Sequence, residues 1–204
     1  MDMKLRLIIT LLAALVTMLM VGCNDDDKIV ESQRTSIERY LASSHVPRLI
    51  AKEEVANSIM VNPPFYERFG LDVYRYIATY YDQGREQRTE VEMGCEVELV
   101  YTAYRFTNSA PNINMVYMTN DADVIASLAE SGLNTEYWSE EVLKVKLGTT
   151  NIIKGIEKSL LGCREGDVVE VYMTQRAAYD DKAVGVVERD SPVMWHYTIQ
   201  SVKK

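Results

Sequence analysis

Histidine and cysteine are scarce in this chain, 2 and 3 among 204 residues. They form no close cluster, so neither a metal site nor a metal-dependent cofactor is expected. Basic charge is short as well: 22 Lys and Arg stand against 30 Asp and Glu, a net charge of −8. Nucleic-acid binding, which needs a surface able to neutralise phosphates, is excluded on that ground. No apolar run reaches the ~20 residues that a bilayer-spanning helix requires, the longest being Leu7–Val21. There is no low-complexity block, no internal repeat and no carboxylate pair set on loops in the manner of a sugar hydrolase. What is present is a 47% hydrophobic content that supports a real core, in one domain with an appendage or in two small domains.

The first residues read as an export signal. Lys4 and Arg6 precede the Leu7–Val21 run, which ends in small Gly22 and then Cys23. Met20–Val21–Gly22–Cys23 resembles a bacterial lipobox, with Met20 where leucine is usual. The resemblance implies removal of residues 1–22, lipidation of Cys23 with palmitate-type chains, and a Gram-negative envelope protein anchored in the outer membrane, facing the periplasm or the cell surface; the alternative is a secreted protein without lipid. Loss of the leader removes Asp2, Lys4 and Arg6 and leaves the rest more acidic still. Asp25, Asp26 and Asp27 then read either as an outward-export signal or as a self-repelling, extended tether. The two remaining cysteines, Cys95 and Cys163, stand in apolar contexts that suit buried free thiols.

Along the rest of the chain, Ile37, Tyr40 and Leu41 fall at helical spacing and predict an amphipathic helix over 31–44 that packs on the main domain. His45 to Phe69, punctuated by Pro47, Pro63 and Pro64, gives no clear pattern. Strands are predicted from Leu71 through Tyr81, over Cys95–Phe106, Met115–Met118, Val142–Leu147 and Val193–Val202, with a helix over Ala122–Glu130 ended by Gly132. Alternation turns His196 outward on the last strand. A second helix is predicted with Asn151 as its cap, Ile152, Ile153, Ile156, Leu160 and Leu161 on one face over about three turns, and Gly162 as a left-handed stop. Val168–Met173 reads as the strand that follows. Strands before and after one central helix favour an α+β fold, with an antiparallel sheet laid over a short helix.

The order L-G, I-I-x-G-I-E-x-x-L-L-G-C-x-x-G-D, A-A-Y, V-G-V-V and a final aromatic strand resembles FKBP-type peptidyl-prolyl isomerases. The likeness is most specific from Leu147 onward and weaker around Tyr101. It implies a curved antiparallel sheet wrapped over one short helix, in an FKBP-like domain over 70–204 with an insertion at about 121–141; the export signal and lipobox add a leader over 1–22, and an anchored tether with a helical extension occupies 23–69. It also implies a prolyl pocket in which Tyr101, Tyr179, Ile153 and Trp195 do the catalytic work, with Tyr117, Leu143, Val145, Ile152, Ile156, Val186 and Val187 as lining. The amide of Ile153 and the phenol of Tyr179 would donate to substrate carbonyls. The partners implied are proline-containing segments of exported chains and the membrane that holds the lipid; no cofactor is implied. Two departures stand out: the floor residue, usually Trp, is Ile156, and the acidic residue expected after the pocket aromatic is Met118. They keep open a non-catalytic binding or scaffold lipoprotein as the alternative to an isomerase or chaperone.

Overall fold

The computed structural model describes residues 25–136 and 138–204. The leader, Cys23 and the lipidation expected there lie outside the described residues. Ile37, Tyr40 and Leu41 line the buried side of a helix over 25–43, here α1. Asp25, Asp26 and Asp27 are helical rather than extended. The reason is local pairing: Asp25 meets Lys28 at 3.5 Å one turn on, and Asp27 is held by Arg176 at 2.7 Å. Among the described residues no helix is long and apolar enough to cross a membrane.

The strands that follow are β1 (Ile50–Ala51), β2 (Phe65–Phe69), β3 (Val73–Ile77), β4 (Glu96–Arg105), β5 (Val116–Thr119), β6 (Leu143–Lys146), β7 (Val168–Met173) and β8 (Val193–Lys203). They form one sheet in the order β1-β2-β3-β7-β8-β4-β5, with β6 beside β4, and every pairing except β1 with β2 is antiparallel. Two further helices, α2 (Ala122–Glu130) and α3 (Lys154–Leu160), complete the α+β fold. β1 and β2, from the stretch without a sequence pattern, extend the sheet through the β2–β3 pairing.

Because alternate residues of a strand face opposite ways, the central strands have two buried sides. Val97, Leu99, Val145, Ile156, Leu160, Val169, Val171, Met173 and Tyr197 make the core on the α3 side. Tyr66, Tyr74, Tyr172 and Met194 point the other way and pack with Phe106 against Ile37, Tyr40 and Leu41 of α1. The strand predicted to be half-buried at 168–173 is therefore covered on both faces at its end. His196, predicted to face solvent, is half-buried opposite Glu170 in the β7–β8 pair for the same reason.

Two elements are shorter than their hydrophobic patterns predict. The strand from Leu71 to Tyr81 contracts to Val73–Ile77: Leu71 is exposed in a turn, and Tyr80 and Tyr81 leave the strand to stack edge-on with Phe65. The central helix has seven residues, not three turns, and Asn151 does not cap it. Ile153 holds that place with φ −57° and ψ 136° and no side-chain cap. Two consecutive β-branched residues, and a tight turn at Asn151 in which the Ile152 N–H donates to the Thr150 carbonyl at 3.0 Å, keep the approach out of the helix. Gly162, at φ +76°, ends the helix as expected. The last carbonyls, of Ser159 and Leu161, accept from the Arg75 guanidinium at 2.7 Å each, so a buried arginine on β3 completes the helix end.

Candidate functional site

The site begins with a diagonal pair on neighbouring strands. Ala103 of β4 lies opposite Trp195 of β8, which puts Tyr101, two residues back on the same face, diagonal to the indole. The two rings stack with centroids 4.6 Å apart and 9° between planes. Trp195 is 3% exposed, and its Nε1–H donates to the Tyr117 hydroxyl on β5 at 2.8 Å. That hydroxyl lies 3.2 Å from the hydroxyl of Tyr179, whose ring meets the Tyr117 ring edge-on at 5.9 Å. An indole and two phenols thus form one hydrogen-bonded chain. With Tyr117 already accepting from the indole, its own O–H can donate to the Tyr179 oxygen, which leaves the Tyr179 O–H free to donate to an acceptor outside; Met118 Sδ is a weak one at 3.9 Å. Burial pushes the pKa values of Tyr117, Tyr179 and Tyr101 upward, so all three remain protonated donors at neutral pH.

The aliphatic members take different depths. Ile152, Ile153 and Leu143 are half-buried and pack on the core beside Tyr179 and Tyr101. Ile156 and Val145 are fully buried, and Val187 is 1% exposed, so these three support the site from below. Val186 is 56% exposed and stands outside the cluster that gathers the others. Ile156 of α3 and Trp195 of β8 both belong to the buried core on this side of the sheet. Among the described residues the Ile153 N–H has no acceptor; the residue stands just ahead of the first helical residue, Lys154.

Beside the aromatic chain opens a cleft of about 610 Å³, lined by Tyr101, Tyr117, Met118, Asn120, Trp138 and Leu143, with exposed Glu141 and Lys144 at its edge. Asn120 and Trp138 belong to a stretch for which the sequence offered no site residue. Asn120 is 5% exposed and stands in for a missing strand between β5 and β6. Its Oδ1 accepts from the Tyr101 N–H at 2.7 Å, and its Nδ2 donates to the carbonyls of Leu99 at 2.9 Å and Glu141 at 3.0 Å. One side chain thereby satisfies the open edge of β4 and closes the neck of the 121–141 insertion. Within M-T-N-D the residue reads only as a turn former, and nothing in the sequence separates it from one. Among the described residues no three His, Cys, Asp or Glu side chains converge as a metal site would need.

Residues 118–200 match the family described as FKBP-type peptidyl-prolyl cis-trans isomerase. That segment is FKBP-like. The matched segment takes in α3, the Tyr179 loop and Trp195, while α1 and β1 to β4, including Tyr101, precede it. No curated protein matches the chain significantly. Among solved structures, the chain is similar to the three FKBP domains of wheat FKBP73, with 13% identity and a TM-score of 0.49 over 67% of this chain and 48% of that one. It therefore spans about half the length of that structure. Of the aromatics that the resemblance implies for a pocket, Tyr101 falls on β4, Tyr117 on β5 and Tyr179 on the loop after β7. The position expected to be acidic is Met118, 37% exposed, with its sulfur beside Tyr179.

Proposed function

We propose that this protein is a peptidyl-prolyl cis-trans isomerase of the cell envelope, lipid-anchored through Cys23, that acts on exported polypeptides. The observation that carries the reading is the Trp195–Tyr117–Tyr179 hydrogen-bonded chain, whose middle member Tyr117 lines the cleft together with Tyr101 and Trp138. An X-Pro bond turns slowly because amide resonance sets a barrier of ~20 kcal/mol. At the perpendicular transition state the nitrogen loses conjugation and the amide becomes less polar. A dry, ring-lined surface then favours the twisted form over the hydrated planar one. The outward protons of Tyr179 and Ile153 hold the flanking carbonyls while the bond rotates. Tyr101 and Leu143 offer the apolar contact for the proline ring. No nucleophile, proton shuttle or metal enters this scheme.

One observation favours a second reading, in which prolyl segments bind without turnover. Met118 occupies the position from which the resemblance implies a carboxylate beside the twisting amide, and a thioether cannot supply that charge. The test is an isomerisation assay on X-Pro peptides with the full chain, beside Tyr179→Phe and Ile153→Pro. Proline suits the φ of −57° at 153 and removes only the amide proton and part of the side chain. Tyr179→Phe should lower kcat/KM about tenfold, the worth of one hydrogen bond of ~1.4 kcal/mol. Binding without measurable turnover in the parent protein would favour the second reading. Turnover that is equal in all three would remove the site altogether.

A further inference from the structure

The side chain of Gln33 on α1 is 8% exposed and bonded at both ends to the loops that frame the site. Its Oε1 accepts from the Gln175 N–H at 2.9 Å, while its Nε2 donates to Gln175 Oε1 at 2.9 Å and to the Asp190 carbonyl at 2.7 Å. Gln175, itself 3% exposed, begins the turn that presents Tyr179: its carbonyl accepts from the N–H groups of Ala178 and Asp180, each at 2.9 Å, on either side of the phenol residue. Asp190 ends the flap that carries Val187. It returns to the same turn through its N–H, 3.3 Å from the Asp180 carbonyl, and through Oδ1, 3.3 Å from Gln175 Nε2. Asp180 and Asp190 both hold positive φ, 57° and 56°. For residues other than glycine such backbone persists where surrounding contacts over-determine it. Here the contacts converge on one buried amide from outside the 118–200 segment. Arg176 paired with Asp27 and Thr174 bonded to Asp72, which also holds Arg34, fasten the same turn to α1 and its neighbours.

We propose that Gln33 is a positioning residue for the site: by bonding the turn ahead of Tyr179 and the end of the 180–190 flap together, it sets the approach of Tyr179 to Tyr117 and couples both loops to α1. For its catalytic consequence, though not for its geometry, the proposal rests on the isomerase reading. A carboxamide suits the task because it offers donors and an acceptor at one point. Its loss leaves the buried Gln175 N–H and the Asp190 carbonyl without partners, a cost that falls on the loops.

The experiment uses the full chain with Gln33→Ala, the near-isosteric Gln33→Glu, and Leu41→Ala as the control. Leu41 is fully buried two turns along α1 and belongs to the aromatic cluster, not to the loops. Amide hydrogen exchange over residues 176–190 should quicken by tenfold or more in both Gln33 variants relative to the sheet strands, and Leu41→Ala should lower Tm without that local change. In kcat/KM, Gln33→Ala should add little once Tyr179 is Phe, because the two act through one phenol. Unchanged exchange in the Gln33 variants, or an equal local change in Leu41→Ala, overturns the coupling. If the loops respond as expected while the parent protein turns over no X-Pro peptide, the isomerase reading fails and the positioning role stands. Turnover without a loop response gives the converse.

Discussion

The two faces of the central sheet are built from the same strands and are buried by different means. Along β7, Val169, Val171 and Met173 enter an aliphatic layer beneath α3. Glu170 and Tyr172, the residues between, face α1 and join a polar and aromatic network: the Tyr172 phenol donates to Glu170 Oε2 at 2.7 Å, His45 Nε2 lies 2.8 Å from the same oxygen, and the Tyr74 phenol donates to Glu38 at 3.2 Å. Among the described residues no buried side-chain nitrogen or oxygen lacks a partner. Apolar packing alone tolerates several orientations of a covering helix, whereas a satisfied polar network fixes one. The contrast therefore separates a face that provides volume and a dry wall for the site from a face that fixes how α1, and with it Gln33, is seated.

The largest expected effect lies at the edge of the aliphatic side, where Asp167 is fully buried and takes the Arg85 guanidinium at both oxygens, at 2.8 and 2.6 Å. Asp167→Ala leaves the arginine charge buried and should cost ~3–5 kcal/mol in denaturant unfolding. A loss below ~1 kcal/mol would mean that water reaches this pair and that the aliphatic side is less dry than described. The two faces can then be set against each other directly. Leu160→Ala under α3 and Leu41→Ala under α1 should each cost ~2–5 kcal/mol, since both side chains are fully buried. If Leu41→Ala costs a few tenths, α1 is an appendage and the comparison fails.

Gly155→Ala probes how closely α3 approaches β7. An added Cβ would run into Met173 Sδ and come within 2.9 Å of the Ala177 carbonyl oxygen, just ahead of Tyr179. Helix propensity alone would favour alanine by up to ~1 kcal/mol, yet overpacking should make the variant less stable by ~1–3 kcal/mol. A gain in Tm would show that the two elements are looser than the packing implies.

The smallest effect is a pH dependence confined to the α1 side. Burial works against the charged His45 ring, but the hydrogen bonds to Glu170 and to the Pro47 carbonyl outweigh it and raise its pKa above 6.5. Burial likewise works against the Glu170 carboxylate, and His45 with Tyr172 outweighs it, lowering its pKa below 4.5. The His45 contribution is therefore complete below pH 6.5 and lost as pH rises through its raised value. The Glu170 contribution is complete above pH 4.5 and lost as pH falls through its lowered value. Both are complete between pH 4.5 and 6.5. The Tm difference between the parent protein and His45→Gln should be largest in that window and shrink toward pH 8.5; a difference that is flat or grows with pH would contradict the pairing.

The aliphatic side was readable in the sequence because its periods are local. Alternation along 96–105 and 193–203 and the Asp121-capped helix at Ala122–Glu130 were recoverable to within a residue or two. The same local logic failed where apolar residues serve a turn. Ile152 and Ile153 fit a helical face yet stay extended, and Tyr80 and Tyr81 fit a strand yet pack around Phe65. The pocket aromatics Tyr101, Tyr117, Tyr179 and Trp195 were nameable from the resemblance and do meet in space. Val186 was named with them and stands apart, since neighbouring flap valines face opposite ways and only one can turn inward. Asn120 and Gln33 were not legible. Each acts on backbone groups remote in sequence, which leave no periodic mark, and on a helix surface a glutamine looks like any other solvated residue.

Both tryptophans of the chain bear on the proposed cleft, Trp195 beneath Tyr101 and Trp138 in the lining. Intrinsic fluorescence titrated with an X-Pro peptide therefore reports on the site without a label. The account predicts a saturable change that weakens in Tyr179→Phe and in Tyr101→Ala and is absent when the proline is replaced by alanine in the peptide. An unchanged spectrum at peptide concentrations where mass spectrometry or calorimetry detects binding would put the prolyl segment elsewhere on the molecule and contradict it.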